Sequence, residues 1–220
     1  MLNSQCAHIS RIDLPVWEYP NGQQLTLPIF RIKGNGSGRS AYIQANIHGA
    51  EVQGNAVIYH LLNYFAQNPP SGDITLVPFA NPFANTQKGG EHTLGRHDPT
   101  TGQNWNRHYI DLVCKNKQDR KFAEQIDLEL FAKNHINLSW EKIQELFRQT
   151  LRKALQSYRI RKSNEGLNPA EQVLLPLQEL ALEADSVLDL HTSPVGTHYA
   201  YAPEYAAASA CHLQVPYLLL

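Results

Sequence analysis

The stretch from residue 41 to residue 79 constrains the fold most, because a strand pattern, a helix pattern and a second strand pattern follow one another directly. Residues 41–47 alternate apolar with polar side chains, which is typical of a half-buried strand. Apolar positions then recur at helical spacing over residues 52–65, and Pro69-Pro70 ends that pattern. Residues 73–79 read as the next strand. This order favours a right-handed crossover, so the sequence predicts an α/β fold with a mixed, mostly parallel central sheet flanked by helices.

Further strands and a further helix are predicted on both sides of this stretch. Residues 25–32 also alternate, and the glycine-rich residues 34–38 lie between them and the strand at 41–47, so we predict a hairpin there. Downstream, Asn168-Pro169 opens a helix that runs through about residue 184. Residues 186–190 form an apolar run, which predicts a buried strand.

The chain has 220 residues, which is enough to bury a complete core, and we expect residues 1–220 to form a single domain. Residues 119–161 interleave charges with apolar positions at helical spacing, which predicts a helical insertion of two helices broken near residues 134–137. Residues 81–107 show no periodicity, and loops of this length are usually either functional or disordered; we expect a functional loop here. Residues 215–220 read as a strand cut at its apolar end, so we expect a truncated chain.

Charge and composition exclude several classes of partner. The formal net charge is −1 at pH 7, which is unlike the basic surface of a nucleic-acid-binding protein or a polybasic membrane anchor. No run approaches the roughly 18 apolar residues that a membrane span needs. The three cysteines are odd in number and widely spaced, which fits reduced thiols better than disulfides. We therefore expect a cytoplasmic protein that binds a small molecule; the oligomeric state stays open.

Histidine and glutamate residues stand at the ends of two apolar runs. His48 follows the strand at 41–47, Glu51 lies three residues further on, and His191 ends the strand at 186–190. Because the carboxyl ends of parallel strands meet at one edge of a sheet, these side chains can converge. Two histidines and a glutamate are the ligands of a catalytic zinc, which keeps a fourth position for water. The sequence predicts one Zn²⁺ per chain, with Asp189 either orienting a ligand histidine or acting as an ordinary strand residue.

A second group of polar residues lies in the unpatterned loop. It contains two guanidinium groups, an amide and two histidines: Arg96, Arg107, Asn106, His92 and His97. Because the planar guanidinium fork matches a carboxylate, such a loop beside a zinc can hold the acid end of a substrate. A solvated basic loop is the alternative. The two histidines are the remaining ones that could approach the metal pocket.

In combination these motifs resemble the zinc carboxypeptidase superfamily and, within it, the succinylglutamate desuccinylase/aspartoacylase branch. The matching segments, in the same order over about residues 40–195, are His48-Gly49-Ala50-Glu51, Asn81-Pro82-Phe83-Ala84, residues 96–107 and Asp189-Leu190-His191. The resemblance implies a zinc-carboxypeptidase-like fold with zinc on His48, Glu51 and His191. It also implies that Arg96, Asn106 and Arg107 bind the substrate's carboxylate or polarise its carbonyl. The implied reaction is cleavage of an N-acyl amino acid at its amide bond by zinc-bound water.

The general base and the substrate class are less constrained. In that family a glutamate in a later strand activates the water, whereas Glu204 is the sole acidic residue after His191 here and reads as a helix start. The base is therefore expected beyond Leu220. A zinc carboxypeptidase acting on peptides is the nearest alternative, because the same metal and arginine residues serve both cleavages. A non-catalytic module that binds a carboxylate ligand is the alternative from another class.

Overall fold

Eleven strands are found among the residues that the computed structural model describes, which are 7–86, 88–89, 92–93, 95–192 and 196–220. Five of them are long enough to build a central sheet, and the others form short two-stranded pairs. They are β1 (Ile9–Glu18), β2 (Gln24–Ile32), β3 (Ala41–Ala45), β4 (Ile74–Val77), β5 (Lys88–Gly89), β6 (His92–Thr93), β7 (Val113–Cys114), β8 (Ile126–Asp127), β9 (Ser186–Leu190), β10 (Tyr199–Tyr201) and β11 (Tyr217–Leu219).

Helices connect these strands. They are α1 (Gln53–Gln67), α2 (Pro82–Thr86), α3 (Leu128–His135), α4 (Trp140–Glu165), α5 (Pro169–Ala181) and α6 (Ala207–Ala210). Short 3₁₀ turns lie at Trp105–Arg107, Lys117–Asp119, Glu204–Ala206 and Cys211–Leu213. Among the described residues, none of these helices combines the length and the apolar character that spanning a membrane requires.

The central sheet has the spatial order β1-β2-β4-β3-β9. Strand β3 is parallel to both of its neighbours, β4 and β9, whereas β2 is antiparallel to both β1 and β4. Four of the five strands therefore run in one direction and β2 runs against them. This confirms the predicted mixed, mostly parallel sheet.

The predicted hairpin between residues 25–32 and 41–47 is wrong. Strand β2 forms its hairpin with β1 instead, through a turn in which Gly22 has a φ of 80°. The alternation of β1 is interrupted by a register shift between Pro15 and Trp17, which hid this strand in the sequence. The glycine-rich residues 34–38 do not form a tight turn, because their amides bond to Ser71 and Asp73.

Helices cover both faces of the sheet, as predicted. On one face, Leu27 and Ile29 of β2 belong to a buried cluster that includes Val173 and Leu177 of α5. On the other face, the alternate β2 residues pack with Ile58 and Leu62 of α1. The period-two alternation of β2 therefore divides its side chains between two apolar layers.

Two helices, α3 and α4, lie in the segment that was predicted to be a helical insertion, and they are separated at residues 136–139 rather than 134–137. Helix α4 buries Leu155 and Tyr158 against Leu175 of α5. Helix α5 begins with a capping box, in which Asn168 and Glu171 each accept the other's backbone N–H at 2.9 and 3.1 Å. The insertion is thus anchored to a helix of the central layer.

Residues 186–190 form a strand, as predicted, but the expectation that it is buried is wrong. Strand β9 is an edge strand of the sheet, and Val187 is 57% exposed. An apolar run alone does not distinguish an edge strand from a central one. Its carboxyl end still lies beside that of β3, because Ala45 pairs with Leu190. The turn after β3 and the residue after β9 are therefore neighbours.

The turn between β3 and α1 is packed backbone against backbone. Asn46, which has a φ of 66°, donates from Nδ2 to the carbonyl oxygen of His48 at 2.8 Å. Gly49 N–H donates to the carbonyl of Gly95 at 2.9 Å, and a Cβ at either glycine would collide with the carbonyl of Ala84. The segment from residue 95 to residue 107, which contains Arg96 and Arg107, is called the arginine loop below. The turn, α2 and the start of the arginine loop therefore form one rigid contact.

The Gly49→Ala variant should lose about 1–3 kcal/mol in free energy of unfolding, because the added methyl group has to displace backbone rather than a flexible side chain. Urea unfolding followed by circular dichroism measures this change. Gly196→Ala is the matched control, since a Cβ at Gly196 has no heavy atom within 4 Å among the described residues, and it should change the free energy by less than about 0.5 kcal/mol. Equal losses in the two variants would contradict the packing argument.

Candidate metal centre

The three predicted ligands converge. His48 Nδ1 lies 2.9 Å from Glu51 Oε1, and His191 Nδ1 lies 2.8 Å from Glu51 Oε2. One ligand atom from each residue lies within 4.8 Å of the other two. The side chain of His48 is 5% exposed, that of Glu51 10% and that of His191 34%, so the cluster opens to solvent on the His191 side.

The outer nitrogen of each ring is held by an oxygen. His48 Nε2 lies 2.8 Å from Asn104 Oδ1, and His191 Nε2 lies 2.9 Å from Asp189 Oδ2. The Asn104 oxygen also accepts Asn106 N–H at 2.9 Å, which fixes it as an acceptor. Both Nε2 atoms therefore carry a hydrogen, and both rings direct Nδ1 at Glu51. Such outer contacts select the ligating nitrogen in metal sites.

Electrostatics keep Glu51 ionised. Burial by itself would raise the pKa of Glu51, but hydrogen bonds from His191, His48 and the backbone of Thr192 hold it well below its usual range. The hydrogen bond to Asp189, followed by that to Glu51, raises the pKa of His191 to about 9 against the opposing effect of burial. Without a metal, the ionised Glu51 carboxylate thus accepts a hydrogen bond from protonated His191, and a metal bound at Nδ1 of His191 would displace that proton.

Two of the three predicted substrate-binding residues, Arg96 and Asn106, contact this cluster. Arg96 Nη1 donates to Glu51 Oε1 at 3.2 Å while its side chain stays 58% exposed. Asn106 Nδ2 lies 3.3 Å from His191 Nε2, a nitrogen whose hydrogen already points at Asp189, so the amide keeps its own hydrogens for another acceptor. Arg107 is exposed and donates from Nη1 to the carbonyl of Asn106 at 3.0 Å. Arg96 and Asn106 therefore contact the cluster, and Arg107 lies next to Asn106 in the loop.

The sequence analysis missed two residues that shape this loop, Asp98 and Asn104. The buried Asp98 carboxylate accepts Thr100 N–H at 2.9 Å and the hydroxyls of Thr100 and Thr101 at 2.7 and 3.1 Å. An aspartate followed by two threonines is an Asx-turn pattern, so this signal was present in the sequence. The contact between Asn104 and His48 depends on tertiary structure and had no such signal.

Other histidines and Glu204 do not join the described cluster. His97 is exposed and pairs through its backbone with Asn104. The side chain of His92 lies outside the described residues, so its role stays a prediction. Glu204 is exposed in the 3₁₀ turn Glu204–Ala206, in keeping with the expected helix start.

Two solved structures are similar to this chain over almost all of its length. The chain is 42% identical to a succinylglutamate desuccinylase/aspartoacylase family protein of Shewanella amazonensis SB2B, with a TM-score of 0.78, over 96% of this chain and 54% of that one. It is 39% identical to a succinylglutamate desuccinylase/aspartoacylase of Shewanella frigidimarina NCIMB 400, with a TM-score of 0.81, over 97% of this chain and 54% of that one. The chain thus spans about half the length of these relatives.

Two further comparisons complete this result. An aspartoacylase family protein of Mesorhizobium loti is 17% identical, with a TM-score of 0.53, over 96% of this chain and 52% of that one, which shows a shared fold. The search of the curated proteins gave no match. The family model of the succinylglutamate desuccinylase/aspartoacylase catalytic domain matches residues 37–218. The chain therefore belongs to the succinylglutamate desuccinylase/aspartoacylase family.

Proposed function

We propose that this protein is a zinc-dependent hydrolase that cleaves the amide bond of an N-acyl amino acid. The convergence of His48, Glu51 and His191 carries the proposal, because all three offer ligand atoms to one point at the carboxyl edge of the sheet. Membership of a family named for a desuccinylase and an acylase supports the deacylase class. The proposed substrate is a small molecule that bears a carboxylate.

The ligand chemistry fits zinc. Two imidazole nitrogens and a carboxylate oxygen are the donors of a catalytic zinc site, and the oxygens on both Nε2 atoms leave Nδ1 free to bind. The ion, when bound, would supply a Lewis acid for the scissile carbonyl and lower the pKa of water to about 7. The exposed His191 side of the cluster gives a substrate access.

Two arginines and an asparagine of the arginine loop orient the substrate. Arg96 contacts the ligand Glu51, which supports a role for its guanidinium beside the scissile carbonyl oxygen, where negative charge would develop. Arg107 and Asn106 lie further along the same loop, and their free N–H groups suit a carboxylate. We propose that Arg96 stabilises the oxyanion and that Arg107 and Asn106 hold the acid end of the substrate.

We also propose a cytoplasmic location. Cys114 and Cys211 are free cysteines, and Cys114 is buried. Free thiols are usual in proteins of reducing compartments. Peptide mass mapping of alkylated protein from cell extracts would measure whether both thiols are reduced in the cell.

Zinc content tests the metal centre. Wild-type protein that has been loaded with zinc and desalted should hold about one zinc per chain by elemental analysis, and His48→Ala and His191→Ala should each lose it because two ligands bind weakly. His60→Ala is the matched control, since His60 is an exposed histidine on α1 outside the cluster, and it should keep its zinc. Wild-type protein without zinc would refute the centre.

Arginine variants test the substrate assignment. With a panel of N-acyl amino acids, including N-succinylglutamate and N-acetylaspartate, Arg96→Ala should lower kcat by about 10²–10³-fold. Arg107→Ala should mainly raise KM. The control is Arg11→Ala, which removes an exposed arginine on β1, at the opposite edge of the sheet from β9, and should leave both constants unchanged.

Activity of Arg107→Ala equal to that of wild type would contradict the role of Arg107. Cleavage of short peptides without cleavage of N-acyl amino acids would assign a carboxypeptidase instead. Zinc binding with neither activity in the full-length protein would assign a module that binds carboxylates without catalysis.

A further inference from the structure

A row of buried polar side chains lies beside Asp189. Gln44 of β3 pairs directly with Asp189 of β9, so their side chains share one face of the sheet. Tyr42 stands two residues before Gln44 on the same face, and both are almost fully buried, at 1% and 3% exposure. Tyr109 reaches this row from the segment after the arginine loop. Polar side chains that are buried in a folded protein are usually hydrogen-bonded.

The hydrogen bonds in this row have a fixed direction. The oxygen Oε1 of Gln44 can only accept, so the hydroxyl of Tyr42 donates to it at 2.7 Å. The amide nitrogen of Gln44 can only donate, so the hydroxyl oxygen of Tyr109 accepts from it at 2.8 Å. The proton of the Tyr109 hydroxyl is therefore directed at another acceptor.

Asp189 offers that acceptor. Its Oδ2 binds His191 Nε2 at 2.9 Å, whereas its Oδ1 is buried and has no hydrogen-bond partner among the described residues. A buried carboxylate oxygen is costly unless a donor satisfies it. Burial raises the pKa of Tyr109 well above its ordinary value, and the charge of Asp189 raises it further. The phenol therefore stays protonated, and the two groups lie close enough to interact electrostatically.

The backbone next to Tyr109 is held in place. The side chain of Gln178 on α5 accepts Ile110 N–H at 3.1 Å and donates to the carbonyl of Ile110 at 2.7 Å. This pair of bonds ties the segment that carries Tyr109 to the helix layer behind the sheet. Tyr109 and Asp189 form no direct hydrogen bond in the structure, so a contact between the hydroxyl and the carboxylate requires a side-chain rotation or a bridging water.

We propose that Tyr109 is a positioning residue for the metal centre, whose hydroxyl donates, directly or through one water, to Asp189 Oδ1. Asp189 is then held at both oxygens and cannot rotate away from the His191 ring. The row formed by the buried Tyr42 and Gln44 and the partly buried Tyr109 thereby sets the direction of a ligand nitrogen. The inference rests on the proposed function in one respect, since it takes His191 as a metal ligand.

Zinc affinity tests the proposal. Loss of a residue that orients a ligand typically weakens metal binding by about 10–100-fold, and Tyr109 acts one contact further out, so Tyr109→Phe should weaken zinc binding by roughly threefold to tenfold. Competition with a chromophoric chelator measures the Kd. Tyr158→Phe is the matched control, because it also removes a buried hydroxyl, one that bonds to Glu171 at 3.3 Å, and it should leave the Kd unchanged.

A double-mutant cycle distinguishes positioning through Asp189 from a general loss of structure. In the Asp189→Ala background, Tyr109→Phe should have no further effect on the zinc Kd, because the group through which it acts is gone. Additive effects of the two substitutions would overturn the proposal, and so would an unchanged Kd in the single variant Tyr109→Phe. The thermal unfolding of each variant is measured as well, to establish that the variant is folded.

A metal-free measurement separates this inference from the proposed function. In protein without zinc, Tyr109→Phe should shift the proton resonance of His191 Nε2–H, because the acceptor Asp189 loses its second donor, whereas Tyr158→Phe should not. Absence of a shift overturns the positioning role even if the protein binds zinc. If the protein does not bind zinc when zinc is supplied but Tyr109→Phe still shifts this resonance, the metal centre is refuted and the contact between Tyr109 and Asp189 is supported.

Discussion

The site depends on the hydrogen bonds that the Glu51 carboxylate accepts. It binds Nδ1 of both histidines and the backbone N–H of Thr192, so it joins the turn after β3 to the segment after β9. A buried carboxylate is stable only with such donors. The same group that orders the site without a metal is therefore the group that would hold the metal.

Sheet topology brings these partners together. Strands β3 and β9 are parallel neighbours, so the residues that follow them emerge at one edge, which is where ligand sites form in such sheets. The arginine loop reaches that edge because Gly95 packs on the turn at Gly49. The site thus draws on three segments that are distant in sequence.

The sequence predicted the sheet class and the three candidate ligands, because His48 and His191 each follow an apolar strand pattern and strand ends have a defined place in the fold. It failed for the hairpin, because the irregularity at Pro15 concealed β1. It could not identify Asn104 or Tyr109 as partners of the site. Their contacts arise from register and loop packing, which leave no periodic pattern in the chain.

The backbone contact among Gly49, Gly95 and Ala84 has a consequence for motion. This junction is filled by main-chain atoms rather than by adaptable side chains. The start of the arginine loop and the turn between β3 and α1 therefore shift as one body. The backbone at Arg96 therefore stays next to the turn that carries His48 and Glu51. At the tip of the loop, a side chain on residue 102 would meet no heavy atom within 4 Å among the described residues, but the φ of 71° at Gly102 favours glycine, so backbone conformation rather than packing restricts this position.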